Sequence, residues 1–214
     1  MSTVVLEKMN LDIFGINFEI FQANEPITSK FILENKVVIV RTGTVIKEFI
    51  YKKDVLSLFD IYFPGEIICL DPKYTNQFDM KLKSLETSSL CFLNTEALEQ
   101  HKNLYSKYLK KRLNYLEDSN FFKQLLLTQR NPLKRVTLFI LTIIKKKQLI
   151  VYDNIQLKIN LSRKQIGLYL GLAEETIVRS FGQLSQLELI IINSKNYTIP
   201  NYKKLLDFYA GPHL

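Results

Sequence analysis

Within Leu161–Leu187, LSRKQIGLYLGLAEETIVRSFGQLSQL, four polar side chains recur on one side of a helical pattern: Glu175, Arg179, Gln183 and Gln186. Spacings of four, four and three place a carboxylate, a guanidinium and two amides along a single face. Such a face offers acceptors and forked donors of the kind that read base edges in a DNA groove. The opposite stripe, Ile177, Phe181 and Leu184, is apolar and has to turn inward. Upstream, Ser162 and Gln165 form a capping-box pattern, and Ile166 and Leu170 give a first short helix its inner face. Gly167 lies between them, where a second helix can pass closely, and Gly171 accepts a left-handed turn at no steric cost. A small residue, a glycine four later and an aliphatic six beyond that (Gly167, Gly171, Ile177) are the organisation of a helix-turn-helix, whose second helix enters the major groove. Any antiparallel helical hairpin produces the same pattern, so the motif has to be weighed with its surroundings.

Those surroundings are cationic. The chain carries a net +8, and the excess is unevenly placed: residues 1–120 hold 15 Lys and Arg against 16 Asp and Glu, a net of −1, whereas residues 121–214 hold 14 against 5, a net of +9. A polyanionic partner for the C-terminal part follows, with a lysine-rich solvated surface as the alternative. At 214 residues, 47% hydrophobic and 23% charged, the chain is globular and long enough for one large or two small cores. Two distant cysteines, Cys69 and Cys91, exclude a cysteine-ligated cluster or thiolate zinc site and are expected to be reduced, buried thiols of an intracellular protein. The longest strongly apolar run, Val136–Ile144, is too short to span a bilayer, and no N-terminal basic–apolar signal is present, so no membrane partner is expected. The bias toward Lys, Ile, Leu, Asn, Tyr and Phe, with 7 Gly and no Trp, indicates an AT-rich genome such as a plastid or a low-GC bacterium.

The elements that must position the motif follow in chain order. Residues 1–12 are a loose lead-in. From Ile16 to Phe92, short apolar runs such as KVVIVRTG and SLCFL alternate with turn signals at Asn24-Glu25-Pro26, Arg41-Thr42-Gly43, Pro64-Gly65 and Asp71-Pro72, predicting six to eight strands of a sandwich or jelly roll. Asn94 then caps a long helix over Thr95–Lys123. Tyr105, Leu109, Leu113 and Leu116 recur along it as a seam, widened by Leu98, Tyr108 and Tyr115, while Lys107, Lys110, Lys111 and Arg112 form its solvated face. The seam predicts dimerisation through this helix, the alternative being packing on its own β domain alone. A linker near Thr128–Asn131 leads into an apolar helix over Leu133–Lys147, started by Asn131-Pro132 and ended by lysines. After the helix-turn-helix, Leu189–Ile192 and Tyr197–Ile199 flank the turn 193–196 as a wing. The tail from Asn201 carries no readable signal.

β roll, long helix, linker, apolar helix, helix-turn-helix and wing, in this order, resemble the Crp/Fnr superfamily of transcription regulators. LSRKQIGLYLG and EETIVRSFGQL look like its two DNA-binding helices, and Gln129-Arg130-Asn131 followed by KRVTLFIL is similar to the global nitrogen regulators of cyanobacteria and plastids. The resemblance implies an α+β chain: a β roll of the cyclic-nucleotide-binding, jelly-roll kind over 1–93, a dimerisation helix and linker over 94–127, and a winged helix-turn-helix over 128–214. It also implies that Arg179 reads a guanine edge and Glu175 accepts from cytosine N4, against an ordinary surface ion pair between them. Ser162, Arg163, Lys164 and Thr176 match phosphate-contacting positions, and Lys195 at the wing tip is a further phosphate contact.

Several positions depart from the family. Glu174 stands where a third contacting arginine is common; an acid there repels phosphate, so either the half-site differs from the family's usual one or binding is weaker. Ser180 stands where an apolar residue is usual. No Gly-Glu and Arg-Ser pairs for a cyclic nucleotide occur around 64–83, and Gln77 falls where the nitrogen regulators carry their 2-oxoglutarate-binding arginine. The four cysteines of an iron–sulfur member are absent, and His101 reads as an ordinary interface or surface histidine. No cofactor is expected, and the effector stays unassigned.

The expected function is that of a homodimeric, sequence-specific DNA-binding regulator that recruits or obstructs RNA polymerase, acting in the plastid stroma or, alternatively, in a bacterial cytoplasm. The competing reading is a protein-interaction module whose winged helix no longer meets DNA. Catalysis is excluded by a β region (13–93) with no histidine, no nucleophile–base set and no Gly-rich phosphate loop.

Overall fold

A computed structural model of the chain describes residues 17–27, 36–51, 55–68, 79–94, 96 and 99–211. The lead-in 1–12, Asp71-Pro72, Cys69, Gln77 and Leu98 lie outside the described residues. Two compact units emerge, 1–119 and 120–214.

Among its described residues the first unit has eight strands: β1 (Asn17–Phe21), β2 (Pro26–Ile27), β3 (Lys36–Thr42), β4 (Val45–Tyr51), β5 (Val55–Tyr62), β6 (Ile67–Ile68), β7 (Asp79–Ser84) and β8 (Ser88–Asn94). They form two four-stranded sheets, β1-β8-β3-β6 and β2-β7-β4-β5, and every pairing is antiparallel. The run Val37-Val38-Ile39-Val40 is apolar throughout, and its period-two geometry explains why. Val38 and Val40 join Phe21, Tyr62, Leu82, Leu90 and Phe92 in a core drawn from both sheets. Val37 and Ile39 point the other way, joining Ile67, Cys91 and Leu93 in a second cluster.

Tyr105 and Tyr108 of the long helix α1 (Lys102–Thr128) cover that second cluster. Tyr115, one to two turns on, packs against the inter-sheet core and stacks with Tyr62 at 6.3 Å between ring centroids. The tyrosines of the expected seam therefore face the β sheets of their own chain. Leu109 and Leu113 do not: they are 37% and 61% exposed. The helix thus separates a tyrosine face from a leucine face, because residues 105, 108 and 115 follow one helical stripe and 109 and 113 another. It starts later and ends later than the sequence pattern suggests, and its 27 residues span about 40 Å.

The second unit holds the end of α1, then α2 (Pro132–Lys146), β9 (Ile155–Lys158), α3 (Arg163–Leu170), α4 (Glu174–Gln186), β10 (Ile191–Asn193), β11 (Asn196–Ile199) and α5 (Tyr202–Ala210). Asn131 caps α2, its side chain accepting from the backbone N–H of Leu133 and Lys134 at 2.9 and 3.3 Å, with Pro132 as first helical residue. Val136, Phe139, Ile140, Ile143 and Ile144 of α2 are essentially inaccessible and form the floor on which the rest packs. Two elements escaped the sequence reading. β9 pairs with β11, making the wing a three-stranded sheet of order β10-β11-β9. The tail is the helix α5, capped by Asn201, whose side chain accepts from Lys204 N–H at 2.7 Å. An apolar groove of about 520 Å³ lies between the end of α1, α2 and α5, lined by Phe122, Leu125, Leu138, Leu141, Leu206 and Tyr209 among others.

Candidate nucleic-acid interface

The helix pair is fixed by local chemistry. Ser162 Oγ accepts from Gln165 N–H at 3.1 Å, and Gln165 Oε1 accepts from Ser162 N–H at 2.9 Å, the full capping box. Gly171 closes α3 at φ 63°, a left-handed residue that costs glycine nothing. Gly167 is required by the turn more than by the second helix: a Cβ there would sit 2.6 Å from the carbonyl oxygen of Leu172 and 3.7 Å from the side chain of Ile177.

α4 then runs with Ile177, Ser180, Phe181 and Leu184 buried against the unit. Ser180, 3% exposed, occupies its inner face as a small residue where an aliphatic would add contact. Glu174, Glu175, Arg179, Gln183 and Gln186 are exposed. Among the described residues neither Glu175 nor Arg179 pairs with another side chain, so the surface ion pair weighed above is not formed and both groups face outward. Glu174 and Glu175 occupy the first turn, which has no side-chain cap on Ala173; their charges suit the positive end of the helix dipole. Val178 is 53% exposed and flanks Glu175 on the side away from Arg179. Sequence reasoning passed over it because an apolar residue adjoining an apolar stripe reads as core. An exposed valine there can meet a thymine methyl.

The other expected contacts fall differently. Ser162 and Lys164 are exposed and Thr176 is half-buried. The Ser162 hydroxyl accepts inside the capping box and keeps its own proton to donate outward. Lys195 is exposed in the wing turn beside Ser194, which takes φ 57°. Arg163 turns inward. Its guanidinium lies 3.8 Å from the Phe181 ring centroid and 5.5 Å from that of Tyr197, and Nη1 donates to the Tyr197 hydroxyl at 2.6 Å. Burial pushes the Tyr197 phenol above its ordinary pKa, against the pull of that guanidinium.

Arg135 escaped the sequence reading altogether. Its Nε and Nη2 donate to the carbonyl of Gln129 at 2.8 and 2.6 Å, and its Nη1 to the carbonyl of Leu170 at 3.0 Å. Lys134 beside it is 4% exposed and donates to the carbonyl of Gly211 after α5. Two cations inside an otherwise apolar helix were the available signal, since buried charges require partners. His101 is exposed, and the described residues hold no group of three or more His, Cys, Asp or Glu that could hold a metal ion. No helix among them is long and apolar enough to cross a membrane.

Comparison with known proteins gives this geometry a family setting. Residues 134–208 match the Crp-like helix-turn-helix domain. The chain is 23% identical over 192 residues to the fumarate and nitrate reduction regulatory protein of Vibrio cholerae, covering 88% of this chain and 74% of that one. It is 26% identical over 196 residues to the transcriptional activator protein Anr of Pseudomonas aeruginosa, covering 90% and 77%. In fold it is similar to FixK2 from Bradyrhizobium japonicum, with a TM-score of 0.74 at 20% identity over 92% of this chain and 99% of that one. The fold of the whole chain is similar to that of FixK2, and the match to a family model rests on residues 134–208. The relatives named are bacterial proteins, and none is named as a plastid protein or as a global nitrogen regulator.

Proposed function

We propose that the chain is a homodimeric, sequence-specific DNA-binding regulator whose α4 reads bases through Arg179 and Glu175. The observation that carries this reading is a recognition helix with its apolar stripe buried and Glu175 and Arg179 exposed one turn apart, without partners among the described residues. Arg179 supplies a bidentate donor for guanine O6 and N7, Glu175 an acceptor for cytosine N4, and Val178 an apolar contact beside Glu175. Ser162, Lys164, Thr176 and Lys195 set register on phosphates. The excess positive charge of residues 121–214 can neutralise DNA phosphates and release their condensed counterions. Leu109 and Leu113, exposed on α1, support the dimer by offering an unsatisfied apolar stripe to a second copy. Two copies would meet successive major-groove faces of a near-palindromic site and act on RNA polymerase by recruitment or obstruction. The bacterial relatives favour a bacterial cytoplasm over a plastid stroma.

The test is selection of bound sequences from a random duplex pool, with and without 2-oxoglutarate. A two-fold symmetric consensus is expected; recovery of no consensus overturns sequence-specific reading. A consensus that sharpens only with 2-oxoglutarate supports nitrogen responsiveness, and one indifferent to it removes that effector. One observation favours the interaction-module alternative: the exposed acid Glu174 on the face that would meet phosphates. A salt series separates the two. A DNA binder loses affinity steeply as salt rises, whereas a weak and unchanging background belongs to the module.

A further inference from the structure

We propose that Arg163 sets the angle of the wing against the helix pair and is not itself a phosphate contact. It is the first residue of α3, Phe181 belongs to α4, and Tyr197 belongs to β11, so one guanidinium touches all three parts of the winged helix. Phe181 and Tyr197 are 1% and 2% exposed, their rings 5.5 Å apart between centroids, and the cation covers both. Its flat face is taken up by Phe181 and one edge donor by the Tyr197 hydroxyl at 2.6 Å. One face of the guanidinium and one of its five N–H donors are thereby committed to this joint. The wing sheet holds itself together through β9, β10 and β11, and its tip is tied to the sheet by Ile159 N–H donating to the Lys195 carbonyl at 2.9 Å. These bonds keep the sheet intact but leave its tilt against α3 and α4 to side chains. Arg163 makes a polar link across that joint to Tyr197, which is two residues from the exposed Lys195. Lysine cannot replace it, since an ammonium has neither the planar face nor the fork.

This inference rests on the DNA-binding reading, and its test keeps the two apart. Affinity for a selected duplex is measured across a salt series for wild type, Arg163→Lys, Arg163→Gln, Lys195→Gln and the double variant Arg163→Gln/Lys195→Gln. Both Arg163 variants are expected to weaken binding alike, by about tenfold, with the salt slope unchanged. Lys195→Gln is expected to lower the slope by about one in the wild type and to have little effect in the Arg163→Gln background, because a mis-set wing no longer delivers its tip. Wild-type affinity in Arg163→Lys together with a reduced slope in Arg163→Gln, or strictly additive effects of the two sites, would overturn the proposal. A readout without DNA completes the test. Amide exchange over 191–199 should quicken in Arg163→Lys while α3 and α4 stay protected; unchanged exchange overturns the proposal even where the wild type binds no duplex.

Discussion

In residues 1–119 several of the pairings that hold the unit together join strands far apart in sequence, such as Phe18 with Cys91 and Val45 with Ser84. In residues 120–214 many of the decisive contacts close over a few positions: Ser162 with Gln165, Asn131 with Leu133 and Lys134, Asn201 with Lys204. The charge divides the same way, near neutral before residue 121 and strongly positive after it. The contrast teaches that surface chemistry and local folding signals are concentrated at one end. The other end is specified by burial on two sides of a sheet, which shows little on its surface.

Four measurements break or sharpen that contrast. Phe181→Ala should cost about 3–5 kcal/mol, because it empties the packing under Arg163 and beside Tyr197. In a thermal scan only the transition of the C-terminal unit should move; a matching fall in the N-terminal unit would show that the two share one cooperative core. Next, Arg179→Ala should relax discrimination at one base pair of the selected site by about 1–3 kcal/mol, whereas Lys81→Gln on the β unit should leave the consensus as it was. Unaltered preference in Arg179→Ala removes its assigned role. A smaller effect is expected of Ser162→Ala, about 1 kcal/mol from the lost capping box, read by denaturant unfolding.

The smallest effect concerns pH. Burial pushes the Cys91 thiol from its ordinary 9.0 up to about 11. The folded state therefore keeps that proton longer than the unfolded chain does. Its stabilising contribution is complete below pH 9 and is lost as pH climbs from 9 through 11. The phenol of Tyr197, also raised by burial, acts in the same direction above its ordinary 10.0 in the other unit. Comparing melting at pH 8 and pH 10.5 for Cys91→Ala and Tyr197→Phe should flatten the alkaline loss of one unit each. A loss equally steep in both variants and wild type would assign the alkaline transition to other groups.

Legibility in the sequence follows the same division. The capping box, the left-handed Gly171, the stripe of α4 and the Asn131-Pro132 start were readable because each is a short-range geometric requirement. The strands were readable as strands, and their sheet order was not, since pairing is set by contacts across tens of residues. The seam of α1 was half-readable. Its period was plain, but periodicity alone could not show that Tyr105, Tyr108 and Tyr115 turn to the β sheets while Leu109 and Leu113 turn away. β9 was missed because IQLK is four residues long with two buried, too brief for a pattern to stand out. Arg163 was read from its position as a contact, and only the ring of Phe181 beneath it shows what else it does.

Arg135 has a mechanical consequence. A single rigid, planar ion grips the backbone just past the end of α1 at Gln129 and the last carbonyl of α3 at Leu170, beside the turn into the reading helix. Three donors of one guanidinium hold both carbonyls, so the segment after α1 and the end of α3 cannot part without breaking charge-assisted bonds.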